Sequence, residues 1–381
     1  MIIKNAKVFL PDGVFSEKDI YVQDGRIIDK PAPGDMEIID GSGCFAIPGL
    51  TDIHFHGCVG YDFCDGTEEA IEAMAEYEAS VGVTTICPAT MTLSKEELLG
   101  IMSAAKNFQE KQQQEEACRD KKASLVGINM EGPFISMEKK GAQNPKYIVP
   151  CSVEMFDELN RASGRLVKLV DVAPEEPGAM EFIKEKNKEV VISIAHTCAD
   201  YDIAKEAMEN GASHMTHLYN AMKPFTHRAP GPIGAAVDSG TVEAELICDG
   251  IHIHEAVVRT TLKMFGDDRI IFISDSMMAT GLEDGDYALG GQPVKVVGNL
   301  ATLEDGTIAG SATNLMDCVR VAVQKMNVPL ETAIKCAAVN SAKSIGIYDQ
   351  YGSIEPGKVA NIVLLKQEDL SLHKVILRGK I

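Results

Sequence analysis

The feature that most constrains the fold of this chain is an alternation of short apolar, β-rich runs with helical stretches through its middle. Most of the runs are separated by segments with helical periodicity. The eight runs lie at 47–53, 83–87, 124–130, 166–172, 190–195, 213–216, 244–249 and 270–274. Strands alternating with helices in this way predict an α/β fold, a (β/α)8 TIM-like barrel. A doubly wound open sheet is the alternative, because periodicity alone does not prove that a sheet closes.

The two chain ends differ from this middle, because both read as short strands separated by turns, including the turn signal Asp24-Gly25. We therefore predict a small β-sandwich domain formed from both termini, residues 1–46 and 350–381. The barrel, residues 47–349, is inserted between its two parts. Behind the eighth run, residues 286–310 predict a β excursion, and two further helices are expected near 314–326 and 330–346.

The charge of the chain limits its partners. The chain has 36 Lys and Arg and 56 Asp and Glu, so its net charge is −20. This charge disfavours binding to nucleic acid. No apolar run approaches the roughly 18 residues of a membrane span, and Pro, Asp and Gly interrupt the N-terminal segment where a signal peptide is apolar. The ten scattered cysteines predict reduced thiols in a cytoplasmic protein, with a structural zinc site of Cys58, Cys64 and Cys87 as the alternative.

Polar side chains follow several of the apolar runs at the point where each strand should end. They are His54 and His56 after the first run, Glu131 after the third, His196 after the fifth, His217 after the sixth and Asp275 after the eighth. In a barrel these ends share the C-terminal face, so the side chains are expected to surround one metal centre. Imidazole and carboxylate ligands suit one or two divalent ions of Zn, Fe, Mn, Co or Ni and do not choose among them.

Such a centre predicts hydrolysis of a C–N bond or of a similar acyl or amidine group. A bound ion can activate water and polarise a carbonyl oxygen. Asp275 could take the proton of the water and later return it to a leaving amine. His252 follows the seventh run, on the same face, which predicts a contact with the substrate.

Several longer motifs carry a resemblance to a known family. The segment Pro48-Gly49-x-x-Asp52-x-His54-x-His56-Gly57 resembles the amidohydrolase superfamily. Within it, the chain resembles the N-acetylglucosamine-6-phosphate deacetylase family. The motifs concerned are Glu131-Gly132-Pro133-Phe134, Lys139-Lys140-Gly141-Ala142, Ala195-His196-Thr197, Thr216-His217-Leu218-Tyr219-Asn220-Ala221-Met222, Asp249-Gly250-x-His252 and Ser274-Asp275.

This resemblance implies hydrolysis of the acetamide of N-acetylglucosamine 6-phosphate to glucosamine 6-phosphate and acetate. It assigns Glu131, His196 and His217 to the main metal site. It assigns His54 and His56 to the second site of members that bind two ions. Asp275 matches the catalytic acid and base, and His252 matches a substrate contact.

The resemblance also implies where a phosphorylated amino sugar binds. Arg228 matches the phosphate ligand, which in the family can come from the neighbouring subunit, so a homodimer is expected. Asn220 and Ala221 match further contacts to the phosphate. The remaining substrate-binding matches are Ala142, Thr313, Asn314 and Leu315. Two alternatives stay open: another amidohydrolase, such as a deaminase or cyclic amidase, and a non-catalytic sugar-phosphate-binding protein.

Overall fold

A computed structural model of the chain describes residues 1–30 and 36–381, so residues 31–35 of the predicted terminal domain lie outside the described residues. The strands at the two chain ends form two sheets with the orders β5-β4-β1-β6 and β23-β22-β7-β2-β3. These strands are β1 (Ile2–Lys4), β2 (Lys7–Phe9), β3 (Phe15–Glu17), β4 (Ile20–Gln23), β5 (Arg26–Ile28), β6 (Ile38–Asp40), β7 (Cys44–Pro48), β22 (Ile362–Lys366) and β23 (Leu372–Ile376).

Apolar side chains from both termini share one buried cluster, which includes Ile3, Val8, Ala46, Ile362 and Ile376. The apolar segment of residues 2–10, which reads as one strand, divides into β1 and β2, which lie in different sheets. Asn5 turns the chain between them with a φ of 62°, in the left-handed region that breaks a continuous strand. The turn predicted at Asp24-Gly25 joins the antiparallel strands β4 and β5.

Each of the eight apolar runs contains strand residues that pair in parallel. The first sheet has the order β12-β11-β8 and the second follows chain order from β13 to β18. The strands are β8 (Leu50–Asp52), β11 (Val83–Ile86), β12 (Ser124–Leu125), β13 (Ile128–Met130), β14 (Val167–Val172), β15 (Val191–Ile194), β16 (His214–Met215), β17 (Glu243–Ile247) and β18 (Ile270–Ile273). The short strands β9 (Gly57–Cys58) and β10 (Tyr61–Asp62) follow β8 in the chain and pair as a hairpin.

Backbone contacts join the two parallel sheets at two places, one beside β13 and one after β18. An isolated parallel bridge links Ala89 and Asn129, and the amide of Asp275 donates to the carbonyl of His54 at 2.9 Å. The strand order of the larger sheet shows no reversal, whereas a doubly wound sheet has one at its switch point. The arrangement is consistent with a TIM-like barrel.

The helices lie between and after these strands, and the inner faces of all but α3 and α11 belong to the largest buried apolar cluster. Their bounds are α1 (Glu68–Ser80), α2 (Lys95–Gln114), α3 (Glu116–Arg119), α4 (Val153–Ala162), α5 (Ala179–Lys186), α6 (Tyr201–Glu209), α7 (Gly231–Ser239), α8 (Glu255–Phe265), α9 (Leu315–Gln324), α10 (Leu330–Ile334) and α11 (Asn340–Ser344). Ser94 and Glu97 form a capping box that begins α2. No helix in the described ranges is long and apolar enough to cross a bilayer.

The predicted β excursion is an antiparallel sheet of three strands that follows β18. It contains β19 (Gly285–Leu289), β20 (Gln292–Val297) and β21 (Leu300–Thr302). Its inner side chains, among them Val294 and Ala301, pack with Met91 and Met277 in a separate apolar cluster. The excursion is thereby held against the C-terminal ends of the barrel strands.

Gly49 divides the first apolar run between the two parts of the fold. Ile47 and Pro48 belong to β7 of the terminal sheet, whereas Leu50 begins β8 of the barrel. A Cβ atom at Gly49 would lie 2.1 Å from the hydroxyl oxygen of Thr84, which is buried on β11. A side chain here would therefore overlap with Thr84, so Thr84 or the junction would have to shift.

We expect Gly49→Ala to lower the free energy of unfolding by about 1–3 kcal/mol, the usual cost of overpacking a buried position. The matched control is Gly100→Ala on α2, where an added Cβ has no neighbour within 4 Å. The control should stabilise the protein slightly, because alanine favours a helix. Urea denaturation of both variants measures the difference, and equal midpoints would contradict this account of the junction.

Candidate metal centre

The polar side chains predicted at the strand ends come together in the structure. His54 and His56 follow β8, Glu131 follows β13, His196 follows β15 and His217 follows β16. All five are buried, each with at most 4% of its surface exposed. Asp275 follows β18 and is 8% exposed. Five chain segments thus present these groups on one face of the parallel sheets, as expected for a barrel.

Glu131 lies between two pairs of imidazoles and belongs to two groups of potential metal ligands. Its Oε1 lies 2.9 Å from Nε2 of His196 and 3.2 Å from Nε2 of His217. Its Oε2 lies 3.2 Å from Nε2 of His56 and 3.8 Å from Nε2 of His54. Within each group the ligand atoms lie within 4.8 Å of one another. The one carboxylate could therefore bridge two ions.

The distances between these atoms fit a bound transition metal. Four ligands at the usual 2.0–2.1 Å from a tetrahedral zinc ion are about 3.3 Å apart. The Nε2 atoms of His196 and His217 lie 3.1 Å apart. Among the described residues, Nε2 of His54 and Oε2 of Glu131 are buried without a hydrogen-bond partner, and they face each other. A cation between them would satisfy both atoms. These ligand atoms therefore fit the metal ion that they are predicted to bind.

The electrostatics of the site also favour positive charge. Burial would lower the pKa of His56, but the facing carboxylates of Glu131 and Asp275 outweigh it and raise that pKa to about 10. Burial would raise the pKa of Glu131, yet His56 and the other imidazoles hold it well below its usual value. The pKa of Asp275 is likewise lowered, because the neighbouring imidazoles outweigh its burial. Both carboxylates are therefore ready to face a cation.

Backbone strain is concentrated at the same residues. His196, His217 and Asp275 have φ values of 42°, 29° and 50°, in the left-handed region that non-glycine residues rarely adopt. These turns at the strand ends direct the side chains across the mouth of the sheet. Such strain persists only where surrounding contacts hold it, and it is common at functional sites.

Three supporting residues, to which the sequence analysis assigned no role, orient the histidines of the site. Glu245 on β17 accepts a hydrogen bond from Nδ1 of His54 at 2.9 Å. Asp249 accepts one from Nδ1 of His252 at 2.7 Å. The carbonyl of Lys139 accepts one from Nδ1 of His196 at 2.8 Å. A carboxylate within an apolar strand could be recognised only once its imidazole partner is known.

A cavity of about 530 Å³ opens onto the centre. This volume is typical of small-molecule sites, which occupy roughly 300–1,000 Å³. The cavity is lined by His252, by Lys139 to Gln143, by Asn220 and Ala221, and by Leu289, Thr307, Ile308 and Gly310 of the excursion and the segment behind it. A hydrogen bond from the side chain of Gln292 to the carbonyl of Ala142 ties the excursion to the opposite wall.

Some of the remaining predicted substrate contacts line the cavity and others do not. Ala142, Asn220, Ala221 and His252 line the cavity. Arg228 does not line it within one chain; it is exposed on the loop before α7.

Thr313, Asn314 and Leu315 are not among the residues that line the cavity. Asn314 caps α9 by accepting from the amide of Asp317, and Leu315 is fully buried in the barrel core.

The cysteines do not form the alternative zinc site. In the parts of the chain that the structure describes, the groups able to hold a metal contain His and Glu alone. All ten cysteines are free thiols, and Cys58 and Cys87 are buried.

The pair of His252 and Asp249 gives a direct electrostatic prediction. Burial would lower the pKa of His252, but the hydrogen bond to Asp249 raises it above its ordinary value. We expect Asp249→Asn to lower this pKa, since the amide oxygen keeps the backbone contacts but removes the charge. A proton NMR titration measures the change, with His252→Gln for assignment and the exposed His373 as control. An unchanged His252 titration in Asp249→Asn would contradict the pairing.

Comparisons with known proteins agree with this fold. Residues 45–381 match the model of the amidohydrolase family. The N-acetylglucosamine-6-phosphate deacetylase of Bacillus subtilis is 36% identical over 387 aligned positions, which cover 100% of this chain and 96% of the relative. The solved structure of the same enzyme from Pasteurella multocida superposes with a TM-score of 0.91 at 28% identity, covering 100% of this chain and 98% of that one.

A second solved structure holds a substrate. It is a mutant N-acetyl-D-glucosamine-6-phosphate deacetylase from Mycobacterium smegmatis in complex with N-acetyl-D-glucosamine-6-phosphate. It superposes with a TM-score of 0.90 at 28% identity, covering 100% of this chain and 98% of that one. The chain therefore belongs to the amidohydrolase family, and over its whole length it is similar to N-acetylglucosamine-6-phosphate deacetylases.

Proposed function

We propose that this enzyme hydrolyses the acetamide of N-acetylglucosamine 6-phosphate to glucosamine 6-phosphate and acetate. The observation that carries the proposal is the pair of ligand groups sharing Glu131 at the base of the cavity, in a chain similar throughout to deacetylases of this substrate. The complex of the Mycobacterium smegmatis enzyme with that sugar phosphate supports the same substrate.

Glu131, His196 and His217 form the main metal site, and His54 and His56 share Glu131 in a second site. The ion is a divalent transition metal of the set Zn, Fe, Mn, Co or Ni. When bound, it would polarise the amide carbonyl and lower the pKa of water, which is the chemistry that hydrolysis of a stable amide requires. The shared carboxylate and the unpartnered ligand atoms support this assignment.

Asp275 transfers the protons of the reaction, and His252 contacts an oxygen of the substrate. A carboxylate oxygen of Asp275 accepts a proton from the attacking water and delivers it to the amide nitrogen as the C–N bond breaks. His252 lines the cavity and is oriented by Asp249, so its free Nε2 faces the substrate. In its protonated form this nitrogen donates a hydrogen bond to a substrate oxygen.

The sugar phosphate lies against Ala142, Asn220 and Ala221, which line the cavity. Because Arg228 is exposed outside the cavity of its own chain, the phosphate is bound by Arg228 of a second copy in a homodimer. A guanidinium offers the bidentate contact that a phosphate favours. This local contact offsets the repulsion from a protein of net charge −20.

The domain organisation follows the two sheet systems. The predicted domains are a small β-sandwich of residues 1–46 and 350–381 and a closed (β/α)8 barrel of residues 47–349. Because Ile47 and Pro48 continue β7 of the terminal sheet, we place the first boundary at Gly49. The mixed cluster of apolar side chains from both termini supports the first assignment. The backbone contact between His54 and Asp275 supports closure of the barrel. Ten free cysteines support a reducing, cytoplasmic location.

A single assay tests the proposed activity against its alternatives. Purified protein loaded with each candidate metal is incubated with N-acetylglucosamine 6-phosphate, and both acetate and ammonia are measured. Acetate release dependent on the ion is expected. Ammonia release from other substrates would instead favour a deaminase, and tight sugar-phosphate binding without acetate would favour a binding protein.

Asp275→Asn tests the proton transfer. We expect turnover to fall by about 10²–10⁴-fold, the usual contribution of a general acid and base, while the metal content stays that of the parent. The control is Asp202→Asn on α6, which is exposed and outside the cavity. Near-normal turnover of the Asp275→Asn protein would refute the assigned role.

Arg228→Ala tests the phosphate contact. Loss of a hydrogen-bonded charge costs about 1.5–3 kcal/mol, so KM for the phosphorylated sugar should rise by about 10–100-fold. Reaction with unphosphorylated N-acetylglucosamine should be unchanged. Arg161→Ala, at an exposed position on α4, is the matched control. Equal losses with both substrates would argue against a phosphate ligand at this position.

A further inference from the structure

We propose that Glu245 is a positioning residue that fixes one ligand of each metal group, His54 and His217, and so couples the two groups. This inference rests on the proposed metal centre. It adds a residue within a strand, which the pattern of polar residues after the strands does not predict.

One oxygen of Glu245 makes both contacts. Glu245 lies on β17 with 0% of its surface exposed. Its Oε2 accepts a hydrogen bond from Nδ1 of His54 at 2.9 Å and another from the backbone amide of His217 at 3.1 Å. A buried carboxylate needs such donors, because an unpaired charge in the interior is costly. The two hydrogen bonds therefore fix the position of Glu245 as well as the positions of the two histidines.

The contact with His54 selects the ring atom that faces the centre. When Nδ1 donates to Glu245, the proton of the neutral imidazole lies there, and Nε2 keeps its lone pair for a metal. Nε2 lies 3.8 Å from Oε2 of Glu131 and 3.8 Å from Oδ1 of Asp275. A carboxylate partner on the far nitrogen also makes an imidazole a stronger ligand.

The contact with His217 acts on the backbone. His217 has a φ of 29°, so its conformation is strained and needs an external partner to hold it. The bond from its amide to Glu245 supplies that partner at the residue whose Nε2 faces Oε1 of Glu131. A shift of Glu245 would thus move a ligand of each group at once.

The other imidazoles are held differently. His196 donates from Nδ1 to a backbone carbonyl, that of Lys139. Within residues 1–30 and 36–381, Nδ1 of His56 and Nδ1 of His217 have no hydrogen-bond partner. His54 alone of the four ligand histidines therefore has a carboxylate on its far nitrogen, which makes its group the more sensitive to Glu245.

Two substitutions of Glu245 separate charge from position. Glu245→Gln can keep an oxygen at the place of Oε2, so it removes the charge with little change in shape. Glu245→Asp keeps the charge but withdraws the carboxylate by one methylene. The matched control is Glu78→Gln on α1, because Glu78 is also 0% exposed but contacts none of the ligand histidines. Thermal unfolding of each metal-free variant identifies any that does not fold.

The first readout is a spectroscopic signature. A ring N–H that donates to a buried carboxylate gives a proton NMR signal far downfield, which His54→Asn assigns. We expect this signal in the parent protein and in Glu78→Gln, and its loss or upfield shift in each folded Glu245 variant. A merely structural role for Glu245 would leave the signal of His54 in place in Glu245→Gln.

The second readout is metal affinity, measured by competition with a chelator. Removing such an outer partner typically weakens metal binding by about 10–100-fold, and we expect that loss in the Glu245 variants but not in Glu78→Gln. A folded Glu245 variant with the signal and affinity of Glu78→Gln would overturn the proposal. A parent protein that binds no ion would instead overturn the proposed metal centre itself, so the two failures are distinguishable.

Discussion

The structure depends on one buried carboxylate that faces four imidazoles. Glu131 uses Oε1 toward His196 and His217, and Oε2 toward His54 and His56, at distances from 2.9 to 3.8 Å. Hydrogen bonds alone cannot satisfy this arrangement, since buried ligand atoms remain without partners in the described part of the chain. A cation satisfies them, and the surrounding negative charge favours it.

The barrel makes this convergence possible, and local strain completes it. Parallel strands deliver their following residues to one face, while left-handed turns at His196, His217 and Asp275 direct the side chains inward. Hydrogen bonds hold these turns: the carbonyl of His196 accepts from Ser136 and the amide of Asp275 donates to His54. The strain is therefore distributed over a network rather than borne by one residue.

Much of this was predictable, because apolar runs mark buried strands and polar residues at their ends mark the site. Other features depend on tertiary contacts. The segment Gly231–Ser239 is rich in small residues, and its helix α7 forms by packing against α6. Asn5 and Gly49 divide predicted strands between sheets through a turn and a close approach to Thr84. Glu245 has no signal in its own strand. Arg228 lies outside the cavity of its own chain, so its proposed contact with the phosphate depends on how two copies assemble.

Counting the ions bound per chain tests the shared role of Glu131 most directly. Metal content is measured by mass spectrometry after equilibration with excess ion, for the parent, Glu131→Ala and His56→Ala. The account predicts that Glu131→Ala loses bound metal from both groups, whereas His56→Ala keeps the ion held by His196 and His217. A folded Glu131→Ala protein with the metal content of the parent would contradict it.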